Sequence, residues 1–400
     1  MTAPMHFSPG ADLLVACVQQ IENLPHSSDI SIRSYELLDS FPAKTNNTSS
    51  VRKMKIQFAE GMQNCRTVSV IVKIPYGNFQ ACWEFCKMKH FYDKEAIFYQ
   101  KMIPRIHKLL RSEIAPIMYT SDAEQVLFLE DLTEKGYQVQ LDGQLDTEHC
   151  MVAVQQLARL HAASHVLDKE EPSAICELLK RQTFVHGILL TKTAEQLRPF
   201  LEALFRRHHL EEESLVQFFS AVEKASTVIV SSMESRRFQF NVLNHGDMKG
   251  HNLLFQLRDE EKKTLNCRII DFQGCRWSSP AFDVIMLAIM AMDGDVYTNH
   301  FDEILQNYIL TLTTTLKMFN HESVYTKANL LSDLASTNAF KLYCLLFATL
   351  IDIRELFNDI DYSDLLVPSE ERIEKVCSDR KFLKKFSFWF FELEKSGVFL

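Results

Sequence analysis

The segment VLNHGDMKGHNLLF, residues 242–255, crowds His245, Asp247, Lys249, His251 and Asn252 between two apolar runs. Downstream, CRIIDFQGCRW places Asp271 at the end of another apolar run. Asp247 and Asn252 lie five residues apart, with Lys249 between them. Two carboxylates and an amide, each where an apolar segment stops, are hard oxygen donors. Mg2+ takes such donors together with phosphate oxygens and water. A carboxylate at Asp247 beside such a site can accept the proton of an attacking hydroxyl.

Upstream, Lys73 stands in the apolar run VSVIVKIP. Val68, Val70, Val72 and Ile74 alternate there, so Lys73 belongs to the opposite face of a strand. In HFYDKEAIFYQKMIPRI, the residues Phe91, Glu95, Phe98 and Met102 follow helical spacing, which sets a carboxylate on an apolar face. An unpaired carboxylate buried there costs several kcal/mol. A lysine on the neighbouring strand is the natural partner, so the sequence predicts a Lys73–Glu95 pair.

These residues need a scaffold. Alternation at Met54, Ile56 and Phe58, then at Val68 to Ile74, predicts consecutive antiparallel strands. The helix carrying Glu95 follows, then a strand in QVLFLEDL. Beyond residue 145 helical spacing takes over, interrupted by the quoted loop and the strand-like LNCRIIDF. The expected fold is α+β with a small sheet lobe, residues 1–132, and a larger helical lobe, residues 133–400.

Four hundred residues exceed what one core usually holds, in keeping with two lobes. A net charge of −9 argues against a nucleic-acid backbone as partner. The ten cysteines show no CxxC spacing, which fits reduced thiols in the cytosol; Cys82 and Cys86 read as small buried apolar residues. The N-terminal apolar run is too short for a signal peptide and lacks a basic flank. The longest apolar stretches, 284–292 and 342–351, fall short of a bilayer span. A cytoplasmic chain with no membrane partner is expected, and its oligomeric state is left open.

The set resembles a kinase fold. Protein kinases pair a strand Lys with a helix Glu and follow a catalytic Asp, five residues on, with a metal-binding Asn. Their second metal-binding Asp sits in a DFG motif. Here the counterparts read HGDMKGHN and IIDFQ, with Lys73 and Glu95 upstream in order. Gly246 stands in place of the HRD arginine, Gln273 in place of the DFG glycine, and no APE sequence follows. Those departures turn the resemblance toward small-molecule kinases. It is most specific to the ecdysteroid kinase-like family, through VIVKIP, FYDKEAIFYQKMIP, LFLEDL, QQLARLHAAS, VLNHGDMKGHNLLF, IIDFQ and SPAFDV.

The resemblance implies a protein-kinase-like two-lobed fold and an ATP- and Mg2+-dependent transfer of phosphate to a small-molecule hydroxyl. It implies Asp247 as catalytic base, with Lys249 at the γ-phosphate, and Asn252 and Asp271 as Mg2+ ligands. Lys73, oriented by Glu95, would hold the α- and β-phosphates, and the backbone of Leu129, Glu130, Asp131 and Leu132 would meet adenine. His245 reads as a brace of the loop, His161 as a residue packed and hydrogen-bonded in the core near it, and Asp283 as an acceptor for the loop's backbone N–H groups. The phosphate-covering loop, PAKTNNTSS, contains no glycine, leaving Ser49, Ser50 and the asparagines as donors. The acceptor is expected to be an ecdysteroid-like steroid or another lipophilic alcohol. Its pocket is expected from helices within about residues 170–235 and from the C-terminal region. The rivals are a choline- or aminoglycoside-type acceptor, and a nucleotide-binding pseudokinase without turnover, for which the glycine-free loop is the one support.

Overall fold

The alternating apolar residues of the N-terminal third form an antiparallel sheet. Strands β1 (Ile30–Asp39), β2 (Ser49–Glu60), β3 (Arg66–Pro75), β4 (Met118–Ser121) and β5 (Leu127–Glu130) run in the order β1-β2-β3-β5-β4. Met54, Ile56, Phe58, Val68, Val70, Val72, Ile74 and Phe128 share one buried face, covered by Leu14, Cys17 and Val18 of helix α1 (Ala11–Ile21). Lys73 lies on the other face, paired across to Val51 on one side and Leu127 on the other. The pleat thus buries seven apolar side chains of β2 and β3 behind the sheet and turns Lys73 to the front, on the face that Lys53 and Lys55 share.

The computed structural model describes residues 9–39, 49–75, 88–121, 126–140, 143–173, 175, 180, 186–257, 264–322, 325–357 and 362–400. Cys82, Cys86 and residues 42–48 of the glycine-free loop lie outside them. The chain divides into two compact units, Met1–Val139 with Leu254–Gln273, and Gln140–Leu253 with Gly274–Leu400.

In the first unit the helix carrying Glu95 comes in three pieces. They are α2 (Met88–Ile97), a π-helical turn (Phe98–Met102) and α3 (Ile103–Leu110). Pro104 sits at the start of α3 and has no N–H to return to the preceding turn, which fits a wider turn just before it. A three-stranded sheet, β6 (Tyr137–Val139), β8 (Leu253–Leu257) and β9 (Thr264–Ile269), leads into Asp271.

The second unit is mostly helical. It contains α4 (Thr147–Glu170), α5 (His186–Arg207), α6 (Glu212–Ser232), α7 (Ala281–Ala291), α8 (Gly294–Met318), α9 (Lys327–Ala335) and α10 (Asn338–Glu355). Three further helices follow, α11 (Tyr362–Leu366), α12 (Glu370–Ser378) and α13 (Arg380–Lys395). A two-stranded ribbon, β7 (Val242–Asn244) with β10 (Arg276–Ser278), carries the polar loop that follows β7. Helix α7 is buried along its whole length, so the loop packed on it has a rigid floor. The chain is therefore α+β, with an antiparallel sheet early and helices late. No single described helix is long and apolar enough to cross a membrane.

Candidate active site

In the first unit three charged groups meet in front of the sheet. Lys73 Nζ lies 2.8 Å from Glu95 Oε2 and 2.5 Å from Asp271 Oδ1. Glu95 is fully buried and Lys73 nearly so. Burial opposes the lysine charge, but the Asp271 and Glu95 carboxylates outweigh it and hold Lys73 above the ordinary lysine range. Burial pushes Glu95 the other way, up to about 7, with Lys73 resisting. One cation between two carboxylates leaves Asp271 a displaceable partner, because Glu95 alone can keep Lys73 charged.

Two features fix Asp271. Phe272 stacks on Phe98 at 4.1 Å and meets Tyr99 edge-on at 5.4 Å, locking the strand end to the helix that carries Glu95. Asp271 itself adopts φ +69, a left-handed conformation that non-glycine residues rarely take. Gln273 Nε2 donates to Asp271 Oδ2 at 3.3 Å. A strained residue held by ring stacking aims its carboxylate by design of the surroundings rather than by its own preference.

In the second unit the loop after β7 hangs on one carboxylate. Asp283, fully buried on α7, accepts from His245 N–H at 2.5 Å and Gly246 N–H at 2.9 Å. His161 Nε2 lies 3.1 Å from Asp283, and its Nδ1 lies 2.7 Å from the Tyr308 hydroxyl. Burial holds His161 below its usual value, so it is neutral, with one donor and one acceptor nitrogen. The arrangement then assigns the N–H to Nε2, toward Asp283, and makes Nδ1 the acceptor for Tyr308. Burial opposes the Asp283 charge, yet the bond from His161 and nearby positive charge keep its carboxyl below the ordinary range.

This cluster sets a pH dependence. A histidine whose folded pKa lies below about 6.5 gives stability at neutral pH that is lost as pH falls through that value. Asp283, depressed in the fold, adds a loss further toward acid. Thermal melts are expected to fall between about pH 7.5 and about pH 5.5, and His161→Gln to shrink that fall. An equal fall in both proteins would place the acid sensitivity elsewhere.

Gly246 has φ +81, and a Cβ there would sit 2.1 Å from the Gly274 carbonyl oxygen. Neither requirement tolerates a side chain, which explains glycine at the position next to Asp247. Gly250 meets the same constraint against Gly143, whose carbonyl oxygen would lie 2.2 Å from an added Cβ.

Within this frame Asn252 Nδ2 donates to the Asp247 carbonyl at 2.8 Å and to Asp247 Oδ2 at 3.0 Å. Lys249 Nζ also reaches Asp247 Oδ2, at 3.0 Å. Asp247 N–H donates to His245 Nδ1 at 3.2 Å, so His245 braces the turn. Asp247 Oδ1 is buried and accepts no hydrogen bond among the described residues. One carboxylate oxygen is therefore clamped and the other is left as an acceptor.

The remaining sequence-predicted positions fall in the first unit. Ser49 and Ser50 are the first two residues of β2, paired with Pro75 and Ile74, rather than loop residues. Leu129 and Glu130 end β5, where Glu130 N–H already donates to the Ile117 carbonyl at 2.8 Å. Asp131 caps a 3-10 turn, Leu132–Lys135, and its carbonyl accepts from Glu134 N–H at 3.2 Å. Its side chain is tied to Lys53 at 2.8 Å and to the Ser69 hydroxyl at 2.6 Å. Lys53 faces away from the Met54 row, which sequence alternation gives, but nothing in sequence named Asp131 as its partner. The Gly246–Gly274 approach and the Phe98–Phe272 stack likewise join residues too far apart in sequence to read from spacing.

Asn252 spends its N–H groups on Asp247, which leaves its carbonyl oxygen as a donor atom. Asp271 offers carboxylate oxygens now shared with Lys73 and Gln273. Oxygen donors of this kind fit Mg2+, which needs few protein ligands when phosphates and waters complete its shell. Among the described residues no three His, Cys, Asp or Glu side chains converge as a metal cluster.

The chain is similar in structure to a choline/ethanolamine kinase family protein from Mesorhizobium loti, at 12% identity, 94% of this chain, 98% of that one and a TM-score of 0.38. It is also similar to a putative aminoglycoside phosphotransferase from Ralstonia eutropha, at 12% identity, 94% and 98% coverage and a TM-score of 0.43. Likenesses of that degree decide nothing about the site. No curated protein matches the chain. The ecdysteroid kinase-like family model matches residues 44–321, a span that holds Lys73, Glu95, Asp247, Asn252 and Asp271. More than half of the sequence fits that one model, and the chain belongs to the ecdysteroid kinase-like family.

Proposed function

We propose that the chain is an ATP- and Mg2+-dependent kinase that phosphorylates a hydroxyl of a small molecule, an ecdysteroid-like steroid or another apolar alcohol. The observation that carries this reading is the Asp247 carboxylate, clamped at Oδ2 by Asn252 and Lys249 while Oδ1 accepts no hydrogen bond among the described residues. Asp247 Oδ1 takes the proton of the acceptor hydroxyl as its oxygen bonds to the γ-phosphorus. The bond from that phosphorus to the bridging oxygen breaks, and ADP leaves with the electron pair.

Lys73 supplies positive charge to the nucleotide phosphates, held in its rotamer by Glu95. Asn252 and Asp271 are the residues assigned to Mg2+, which neutralises charge on the phosphate oxygens when bound. Nucleotide entry would then exchange the Lys73–Asp271 contact for phosphate contacts, with Glu95 keeping Lys73 in place. With Glu130 N–H and the Asp131 carbonyl already committed, Leu132 N–H is the donor we assign to the purine edge.

The test uses γ-labelled ATP with Mg2+ and a panel of alcohols, including steroid diols, choline and an aminoglycoside. Label in a steroid product, lost on chelation of Mg2+, is the expected result. Transfer to choline or the aminoglycoside alone would reassign the acceptor. Mg2+–ATP binding with no transfer to any alcohol would favour a nucleotide-binding pseudokinase.

A further inference from the structure

Helix α10 presents a row of side chains at four-residue spacing, Tyr343, Phe347, Ile351 and Glu355. Such a row winds slowly around a helix and forms a continuous ridge. One end of this ridge meets the loop that carries Asp247, and the other starts beside the β7–β10 ribbon from which that loop springs. Glu355 Oε1 lies 3.8 Å from His251 Nε2. At the other end Phe340, three residues before Tyr343, lies under the Arg276 guanidinium at 4.7 Å, and Arg276 pairs across the ribbon with Asn244, three residues before Asp247.

Between the ends, Phe347 and Ile351 are partly exposed, although most of α10 around them is buried. The ridge is rigid at its root. Phe340 stacks on Tyr343 at 5.6 Å and 22°, Tyr343 on Phe347 at 5.6 Å and 10°, and the Arg276 guanidinium covers Phe340 at 4.7 Å. A flat aromatic and aliphatic strip thus runs from the ribbon that carries the proposed base's loop to a carboxylate. From Phe347 to Glu355 is about 12 Å along the axis, at 1.5 Å per residue.

Glu355 is not a free counter-ion. Burial and Asp352 raise it, while Lys385, Lys381 and Lys249 act in the opposite sense. With His251 Nε2 at 3.8 Å and half buried, its carboxylate is placed to accept a hydrogen bond from a hydroxyl laid along the ridge.

We infer that this ridge is the acceptor wall: the apolar body of the alcohol lies on Phe347 and Ile351, and a second hydroxyl at its far end donates to Glu355. The inference rests on the kinase reading and narrows its acceptor to neutral apolar diols of roughly 10 Å span. Phe347 sets affinity for the apolar body, and Glu355 sets the preference for a second hydroxyl.

The full chain is assayed with Mg2+–ATP and three acceptors. These are androstanediol, with hydroxyls at both ends of a flat body, androstanol, with one, and choline. Mg2+–ATP affinity is measured separately by calorimetry, so failure of the nucleotide reading shows there and failure of the wall shows in the acceptors. The wild type is expected to favour the diol over the mono-ol by about tenfold in kcat/KM, the scale of one hydrogen bond to a charged group. Glu355→Gln should reduce that ratio to near one, and Phe347→Ala should raise KM for both steroids about tenfold. Neither variant should change Mg2+–ATP affinity. The wall is overturned by a diol preference that survives Glu355→Gln, by an unchanged steroid KM in Phe347→Ala, by turnover of choline alone, or by Mg2+–ATP binding with no steroid turnover.

Discussion

Asp247→Asn is expected to bind Mg2+–ATP as the parent does and to transfer phosphate roughly 10²–10⁴-fold more slowly, the range for loss of a general base. The substitution is conservative where it matters for folding. The loop is suspended by backbone bonds from His245 and Gly246 to Asp283, and these do not involve the Asp247 side chain. An asparagine keeps the shape and one carbonyl oxygen toward Asn252 and Lys249. It loses the second oxygen, Oδ1, which no group in the described fold uses. A side chain placed for stability alone would not leave a buried carboxylate oxygen unsatisfied, since that costs about 1–3 kcal/mol or more for a charged group. Calorimetry of Mg2+–ATP binding and single-turnover transfer separate the outcomes. An unchanged rate removes the base role, and lost nucleotide binding would make Asp247 a ligand residue instead.

How much of this was legible beforehand varies by the range of the interaction. Met54, Ile56, Phe58 and the valines of β3 announce a one-faced sheet because strand geometry repeats every second residue. Lys73 and Glu95 could be paired from burial alone, because a carboxylate on an apolar helix face needs a cation. The α1 helix that covers the sheet was not foreseen, since an alternating strand says that one face is covered and not by what. The π-helical turn before Pro104 also escaped, because helical spacing is nearly the same for α and π turns over a few residues.

The site shows the same split. Spacing placed Asn252 close to Asp247, and the fold gives two hydrogen bonds between them. It could not reveal that Gly246 is glycine because of Gly274, nor that Asp271 is aimed by a ring stack on Phe98. The resemblance, for its part, does not show that part of the Leu129–Leu132 backbone is already used by a neighbouring strand and turn. The partner of each side chain, unlike its face, is a tertiary fact.

Asp283→Ala is expected to have the largest effect on stability, by a route that leaves every proposed catalytic side chain in the sequence. Its buried carboxylate satisfies three donors: His245 N–H, Gly246 N–H and His161 Nε2–H. Alanine offers none of them an acceptor, and His245 and His161 are fully buried. Removing one partner of such a buried charged network costs about 3–5 kcal/mol. At about 2–4 °C per kcal/mol, Tm should fall by roughly 10 °C. Asp283→Asn keeps one oxygen but turns an N–H2 toward a donor, so it should fall between alanine and the parent. Activity should drop in both, because the Gly246 turn that positions Asp247 loses its anchor. The contrast with Asp247→Asn is the informative part: one variant loses rate at unchanged Tm, the other loses both. A Tm within about 2 °C of the parent in Asp283→Ala would mean that the loop is held by the Gly246–Gly274 approach and the β7–β10 ribbon without the carboxylate.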